Sequence, residues 1–115
     1  MQIAVALRHV SPNVFHLWEP KPLVVGAQEQ IRELLPAAPE RAVHQFLSWW
    51  CNRRRYLKAT AAEESFRYHA NGHRGPQVTD EHREHAAKRI EEISELWKKE
   101  KESAKRLDVA VQETP

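Results

Sequence analysis

The stretch FLSWWCNRRRYL, residues 46–57, combines bulky apolar side chains with three consecutive arginines. Apolar side chains recur around it at helical spacing and form one stripe on a helical wheel: Val43, Phe46, Leu47, Trp50 and Leu57. Such a stripe indicates an amphipathic helix that packs against a core. The stretch therefore predicts one helix over residues 40–57, and this helix organises the rest of the fold.

The opposite face of this helix is basic and has no acidic residue. Five cations and no Asp or Glu occur between residues 41 and 58: Arg41, Arg53, Arg54, Arg55 and Lys58. On the wheel, Arg55 and His44 lie on the polar arc, whereas Arg53 and Arg54 fall toward the apolar side. Trp49 and Tyr56 lie at the edge of the arc. Cations bind phosphates and exposed rings stack on bases, so the arc is typical of a nucleic-acid-binding surface.

The segments before this helix predict two shorter helices separated by extended chain. Residues 3–8 predict a first helix, which Pro12 ends. The sequence EPKP at 19–22 predicts extended chain, because a proline disfavours the helical conformation in the residue before it. Residues 27–35 predict a second helix, which Pro36 ends.

The segments after it predict a β-hairpin and a long helix. Residues 65–70 and 73–78 predict two strands joined by Asn71-Gly72, a dipeptide typical of a type I′ turn. Thr79 or Asp80 then begins a helix, whose buried side is formed by Ala86, Ile90, Ile93 and Trp97. The apolar part of this helix is too short for a coiled coil. The predicted fold class is mostly α with a small β-hairpin (α+β).

Length and composition indicate one small globular domain. The 115 residues are 41% hydrophobic and 30% charged, with a net charge of +2. We predict a domain over residues 1–97, and a charged helix end with a disordered tail over residues 98–115. No apolar run is long enough to cross a membrane, and the N-terminus lacks the pattern of a secretory signal. We therefore expect a cytoplasmic monomer.

Cys51 and the histidines are candidates for chemistry, but their patterns do not favour it. Cys51 lies alone near the margin of the apolar stripe, which is typical of a structural thiol rather than a nucleophile. His82 and His85 lack the HExxH spacing, and His69 and His73 flank the turn, so we interpret all four as surface side chains. We expect no enzymatic activity, no cofactor, no metal site and no small-molecule substrate.

Three function classes remain open from the residues alone. Arg67 and Tyr68 add a second cation–aromatic pair on the predicted hairpin, which favours nucleic-acid binding. Residues 40–57 could instead enter a duplex DNA groove as a helix. Trp49 and Tyr56 could instead be the hot spot of a protein-interaction module.

The order of motifs resembles that of the ProQ/FinO family of bacterial RNA-binding proteins. The matching pieces are PLVVGAQEQI at 22–31, FLSWWCNRRRYL at 46–57, FRYHANGHRG at 66–75 and VTDEHREHAAKRIEE at 78–92. The resemblance implies a compact domain with a concave basic face and a long C-terminal helix. It also implies an RNA chaperone acting in post-transcriptional regulation by small or antisense RNAs. The RNA target would be a terminator-like hairpin followed by a single-stranded U-rich 3′ tail.

The resemblance also implies roles for individual residues. Tyr56 and Arg67 match the family positions that line a pocket for the terminal 3′ nucleotide. Lys21 and Arg55 match basic positions of the family. With these, we expect the phosphates of the tail and lower stem to be contacted by Lys21, Arg41, His44, Arg53, Arg54, Arg55 and Lys58. Trp49 and Tyr68 are candidates for base stacking.

The chain departs from the family pattern at three places. Val24 stands where the family often has lysine, and His44 stands where it has a basic residue. Ala38-Pro39 replaces a polar N-cap that is thought to bring backbone N–H groups to phosphate. We expect these changes to bear on RNA affinity and preference rather than on the fold.

Overall fold

The computed structural model describes the backbone of residues 2–113 and the side chains of residues 2–106. Its elements follow in the order α1 (Gln2–Val10), α2 (Ala27–Leu34), α3 (Glu40–Cys51), α4 (Arg54–Ala61), β1 (Phe66–Tyr68), β2 (Arg74–Gln77) and α5 (Asp80–Glu113). The predicted fold class is confirmed: the chain is mostly helical, with one antiparallel hairpin and a long C-terminal helix. No helix within these residues is long and apolar enough to cross a bilayer.

Three aromatic rings form the centre of the core. Phe46 and Trp50 lie one turn apart on α3, and Phe15 reaches them from the loop after α1. All three side chains are fully buried, and their ring centroids lie 5.5–6.3 Å apart in tilted arrangements, which aromatic pairs favour over face-to-face stacking. Leu7 of α1 and Ile31 of α2 are buried in the same cluster. The apolar stripe predicted for α3 is thereby confirmed.

The prediction of one continuous helix over residues 40–57 is wrong. The helix breaks at Asn52 and Arg53, and α4 starts again at Arg54. The side-chain Nδ2 of Asn52 donates to the carbonyl of Ser48 at 2.6 Å. In a continuous helix that carbonyl would accept the backbone N–H of Asn52, so the side chain competes with the helical hydrogen bond. Arg53 then takes an extended conformation with ψ of 141°. The directions of the side chains after Cys51 therefore differ from those predicted by a helical wheel drawn for one helix over residues 40–57.

Residues 22–24, called here the strap, run beside β1 as a short parallel partner. Tyr68 N–H donates to the carbonyl of Pro22 at 2.7 Å, and Val24 N–H donates to the carbonyl of Tyr68 at 3.0 Å. β1 pairs with β2 on its other side, with a register shift between Phe66 and Tyr68. The predicted extended chain before Leu23 thus continues into a segment that ties the N-terminal half to the hairpin.

The type I′ turn predicted at Asn71-Gly72 is wrong, although the hairpin itself is confirmed. Asn71 does not have a positive φ, whereas Gly72 has a φ of 100°. His69 N–H donates to the carbonyl of His73 at 2.8 Å, and Gly72 N–H donates to the carbonyl of His69 at 2.9 Å. These bonds define a three-residue loop, which needs a left-handed residue only at its last position.

Helix α5 begins as predicted and packs antiparallel to α4 through its first turns. Thr79 Oγ1 accepts the backbone N–H of His82 at 3.2 Å, which is the usual N-cap bond. Ala86 is buried, but Trp97 is 53% exposed, so its predicted place in the core is wrong. The guanidinium of Arg54, the first residue of α4, lies 5.7 Å from the centroid of the Trp97 ring, and most of that ring stays open to solvent.

The C-terminal part of α5 carries exposed side chains from residue 98 to residue 106. The helical backbone is described as far as Glu113, whereas residues 114–115 and the side chains from 107 onward lie outside the described residues. The domain boundary at residue 97 and the disordered tail within residues 98–115 stay predictions.

We expect Gly75→Ala to lower the free energy of unfolding by about 1–3 kcal/mol, the cost of overpacking. A Cβ at this position would lie 2.8 Å from Val24 Cγ1 and 3.2 Å from the carbonyl of Arg67. Val24 is buried in the strap and cannot move freely. Urea unfolding followed by circular dichroism measures the change. Combining Gly75→Ala with Val24→Ala should cost less than the sum of the two single changes, and strict additivity would contradict the contact.

Candidate functional site

Two side chains from different elements hold the backbone of Leu23 in the strap. The Tyr56 hydroxyl accepts the N–H of Leu23 at 2.9 Å, and Arg67 Nη1 donates to the carbonyl of Leu23 at 2.7 Å. Tyr56 is only 7% exposed, so its predicted place at the solvent edge of the cationic arc is wrong. The helix break before α4 turns Tyr56 inward, where its hydroxyl satisfies a backbone donor that would otherwise be unpaired.

Tyr56 and Arg67 also line one cavity of the structure. The cavity measures about 210 Å³ and lies between α4, β1 and α5; its lining residues are Tyr56, Leu57, Thr60, Arg67, His82, His85 and Ala86. The Nη2 atom of Arg67 lies 2.7 Å from Nδ1 of His82. A guanidinium only donates, so the imidazole nitrogen accepts.

The two histidines of the cavity were missed as site residues by the sequence analysis. His82 and His85 are exposed, as predicted, yet both border the cavity. The available signal was their spacing relative to Ala86, the buried residue of α5. Residues three or four apart share one face of a helix, so His82, four residues before Ala86, lies on the packed side of α5, and His85 is three residues from His82.

Burial keeps the phenol and the neighbouring thiol in their neutral forms. Desolvation raises the pKa of Tyr56 above its usual value, and the Cys51 thiol next to it adds to the rise. Desolvation likewise raises the pKa of Cys51, against smaller opposing effects of the neighbouring Tyr56 hydroxyl and the charge of Arg67. Cys51 is therefore held as a thiol at neutral pH, which disfavours a nucleophilic role.

The three consecutive arginines lie over four different tryptophan rings, two of them beside Arg53. The Arg53 guanidinium lies 4.5 Å from the ring centroid of buried Trp50 and 5.4 Å from that of Trp49. Arg54 lies 5.7 Å from the ring of Trp97, and Arg55 lies 4.5 Å from the ring of Trp18. Arg53 also donates to the carbonyl of Leu17. Its partial burial lowers its pKa, with a further contribution from the charge of Arg55.

Lys21 and Tyr68 lie together, but in a different cavity from Tyr56 and Arg67. This second cavity measures about 400 Å³ and is more polar; it is lined by Asn13, Val14, His16, Glu19, Lys21, Tyr68 and Gly72. The backbone N–H of Lys21 donates to the carbonyl of Val14 at 3.1 Å, which positions the residue at the rim. Its side chain is exposed.

The remaining predicted contacts are exposed and line neither cavity. They are Arg41 and His44 on α3 and Lys58 on α4. Pro39 caps α3 without a side-chain hydrogen bond, so the start of α3 lacks the polar cap of the family pattern. Val24 points into the core against β2, where a lysine would have to leave the packed position.

The predicted cations are not neutralised by acidic partners. Among the side chains of residues 2–106, the ion pairs join other residues: Arg32 with Glu29 and Glu40, Arg83 with Asp80, Arg89 with Glu92, and Lys98 with Glu95. These predicted basic side chains are therefore available to a polyanion. Within the part of the chain that the structure describes, no group of three His, Cys, Asp or Glu side chains could hold a metal ion.

Comparison with known proteins gives one family and several related structures. A sequence model described as the ProQ/FINO family matches residues 2–106. A FinO-like RNA chaperone from Neisseria meningitidis MC58 is 29% identical, with a TM-score of 0.63 over 74% of this chain and 86% of that one. A ProQ homolog from Legionella pneumophila, solved by NMR, is 20% identical, with a TM-score of 0.65 over 79% of this chain and 80% of that one. No curated protein sequence matches significantly.

We expect Tyr56→Phe to lower the free energy of unfolding by about 1–3 kcal/mol, the cost of leaving a buried donor without a partner. The change keeps the ring but removes the acceptor of the Leu23 N–H. Tyr68→Phe is the matched control, because this second tyrosine is only half-buried and does not hold Leu23. Urea unfolding of both variants measures the difference. Equal losses in the two variants would show that the Leu23 bond contributes nothing specific.

Alkaline pH should destabilise the wild-type protein through the same phenol. Burial raises the pKa of Tyr56 in the folded state. In the unfolded chain the phenol has the pKa of a free tyrosine, about 10. The stabilisation is therefore complete below about pH 10 and is lost as the pH rises further. Unfolding free energies measured on either side of this pH should fall more steeply for wild type than for Tyr56→Phe. Parallel slopes would contradict the shift.

Proposed function

The chain belongs to the ProQ/FinO family, and we propose that it is a non-enzymatic RNA chaperone that binds the 3′ ends of structured RNAs. The family match over residues 2–106 confirms the resemblance predicted from the motifs. The proposed ligand is a terminator-like hairpin with a single-stranded U-rich tail. The proposed setting is cytoplasmic regulation by small or antisense RNAs, with the protein acting as a monomer.

The convergence of Tyr56 and Arg67 on one cavity is the observation that carries this proposal. The cavity of about 210 Å³ is below the roughly 300–1,000 Å³ typical of small-molecule sites, and its size suits the sugar of one terminal nucleotide. Arg67 and His82 bring nitrogen donors and acceptors to its rim. The 2′ and 3′ hydroxyls of a terminal ribose are both donors and acceptors, so they complement such a rim.

Exposed basic side chains that have no acidic partner among the described side chains support binding of the RNA backbone. We assign the tail and lower-stem phosphates to the exposed basic side chains Lys21, Arg41, His44, Arg54, Arg55 and Lys58. Arg53 is a weaker candidate, because its guanidinium is engaged with Trp50 and the carbonyl of Leu17. Trp49, which is 45% exposed, remains available for stacking on an unpaired base, and Tyr68 is half-buried in the second cavity.

The two other function classes lose support from the geometry. A single groove-reading helix over residues 40–57 is interrupted at Asn52 and Arg53, so the surface expected to enter a DNA groove is not continuous. A protein-binding hot spot formed by Trp49 and Tyr56 needs both rings at the surface, and Tyr56 is buried.

Titration against three ligands tests the proposal: a stem-loop RNA with a U-tail, the same stem without the tail, and a DNA duplex. We expect the tailed RNA to bind most tightly, with an affinity that falls steeply as salt rises, because phosphate contacts release counterions. Equal affinity for the two RNAs would exclude recognition of the 3′ tail. Tighter binding of the DNA duplex than of either RNA would contradict the proposal and indicate a DNA-binding protein.

A 3′-terminal phosphate on the tailed RNA should weaken binding by roughly 10-fold or more, as expected when a hydrogen bond worth about 1.5 kcal/mol is lost. The modification changes the ligand and leaves Tyr56 and Arg67 in place, which matters because both residues also hold Leu23. The matched control is a phosphate at the 5′ end of the same RNA. Unchanged affinity with the 3′-phosphate would exclude recognition of the terminal hydroxyl.

A further inference from the structure

Trp18 is a large apolar side chain that the fold leaves at the surface. It is 62% exposed, more than Trp49 or Trp97, and it lies in the loop between α1 and the strap. Exposed apolar surface is unfavourable in water, so a large ring held outward points to a binding role. Trp18 was not among the predicted site residues, because this loop carries no helical or strand pattern.

The loop around Trp18 is held in place by side chains on both sides. His16 Nδ1 accepts the backbone N–H groups of Trp18 at 3.2 Å and Glu19 at 3.0 Å. Arg53 donates to the carbonyl of Leu17, and Arg55 Nη1 donates to the carbonyl of Trp18 at 3.3 Å. The ring is therefore exposed on a fixed loop and not on a loose one, which reduces the entropy cost of binding.

The Arg55 guanidinium covers Trp18 and leaves much of the ring open. The guanidinium lies 4.5 Å from the ring centroid, within the range of a cation–π interaction. A nucleobase on the open part of the indole would stack on a ring already held by a cation. The phosphate next to that base would then lie near the charge of Arg55. Stacking and phosphate binding together are the two interactions by which proteins hold single-stranded nucleic acid.

The position of this pair relative to the first cavity fits the path of a tail. Arg55 and Tyr56 are consecutive residues of α4, and Tyr56 holds Leu23 of the strap, five residues after Trp18. Since Arg55 directly precedes Tyr56, the Trp18–Arg55 pair is attached next to the Tyr56–Arg67 cavity, within reach of the nucleotides that precede one bound there.

Charge favours RNA over a protein partner for this surface. Among the described side chains, neither Arg53 nor Arg55 is in an ion pair, and Glu19 is the one acid in residues 16–19. We propose that Trp18 and Arg55 form a stacking platform for the unpaired bases that precede the terminal nucleotide of the RNA tail. The inference rests on the proposed function and assigns it a second contact.

Trp18→Ala should weaken binding of a stem-loop with a long U-tail by about 5- to 100-fold, the scale of one base–aromatic stack. Trp97→Ala is the matched control, because Trp97 is also exposed and also covered by an arginine, but lies roughly 16 Å along α5 from Ala86 at 1.5 Å per residue. Trp18→Phe should restore part of the affinity. Shortening the tail to the terminal nucleotide or two should remove the difference between Trp18→Ala and wild type.

The outcomes separate the platform from the proposed function. Unchanged affinity of Trp18→Ala for the long-tailed RNA overturns the platform. The exposed Trp18 ring would then be interpreted as a contact for a protein partner. An equal loss in Trp97→Ala overturns it as well, since the effect would then not depend on position. Equal binding of tailed and tailless RNA by wild type overturns the proposed function and the platform with it. Thermal unfolding of each variant checks that the fold is intact.

Discussion

The backbone of Leu23 needs partners that its own strand pairing does not provide, and this need shapes the candidate site. Pro22 and Val24 make the two hydrogen bonds to β1, so the N–H and carbonyl of Leu23 point away from the sheet. A buried backbone group without a partner is costly, and the two groups are satisfied by Tyr56 of α4 and Arg67 of β1. One peptide segment thus joins α4, the hairpin and the N-terminal half of the chain.

This arrangement makes the fold and the proposed RNA pocket depend on the same side chains. Tyr56 and Arg67 each hydrogen-bond the backbone of Leu23 and each line the cavity, so the strap holds both side chains at the cavity wall. Such coupling pre-organises the pocket, because the side chains are fixed before a ligand arrives. It also means that a substitution at either residue changes stability and binding together, so the ligand is the better place to probe recognition.

The break between α3 and α4 gives the three arginines different surroundings. Asn52 ends α3 by bonding the carbonyl of Ser48, and the new direction of α4 sends Arg54 toward α5 and Arg55 toward the Trp18 loop. Arg53, between the two helices, covers the edge of the core. A run that looks uniform in the sequence therefore contributes to core packing, to a helix–helix contact and to an open surface.

The order and type of the elements could be predicted from local patterns. The stripe through Val43, Phe46 and Trp50 indicated the core face of α3, and the polar cap at Thr79 indicated the start of α5. Two predictions that depended on where a helix ends and on what packs against it were wrong. One helix was predicted through Asn52, whose side chain competes with the backbone, and Trp97 was predicted in the core, whereas it is 53% exposed.

By itself, the amino-acid sequence determined the helical and hairpin segments, the apolar stripe and a cluster of cations without nearby acids, because these follow from spacing and composition along the chain. The tertiary structure alone decided that Tyr56 is buried, that Arg67 meets it at Leu23 and that Arg55 covers Trp18. Those contacts join residues 33, 44 and 37 positions apart. Their partners are set by how the helices pack, and no local pattern carries that information.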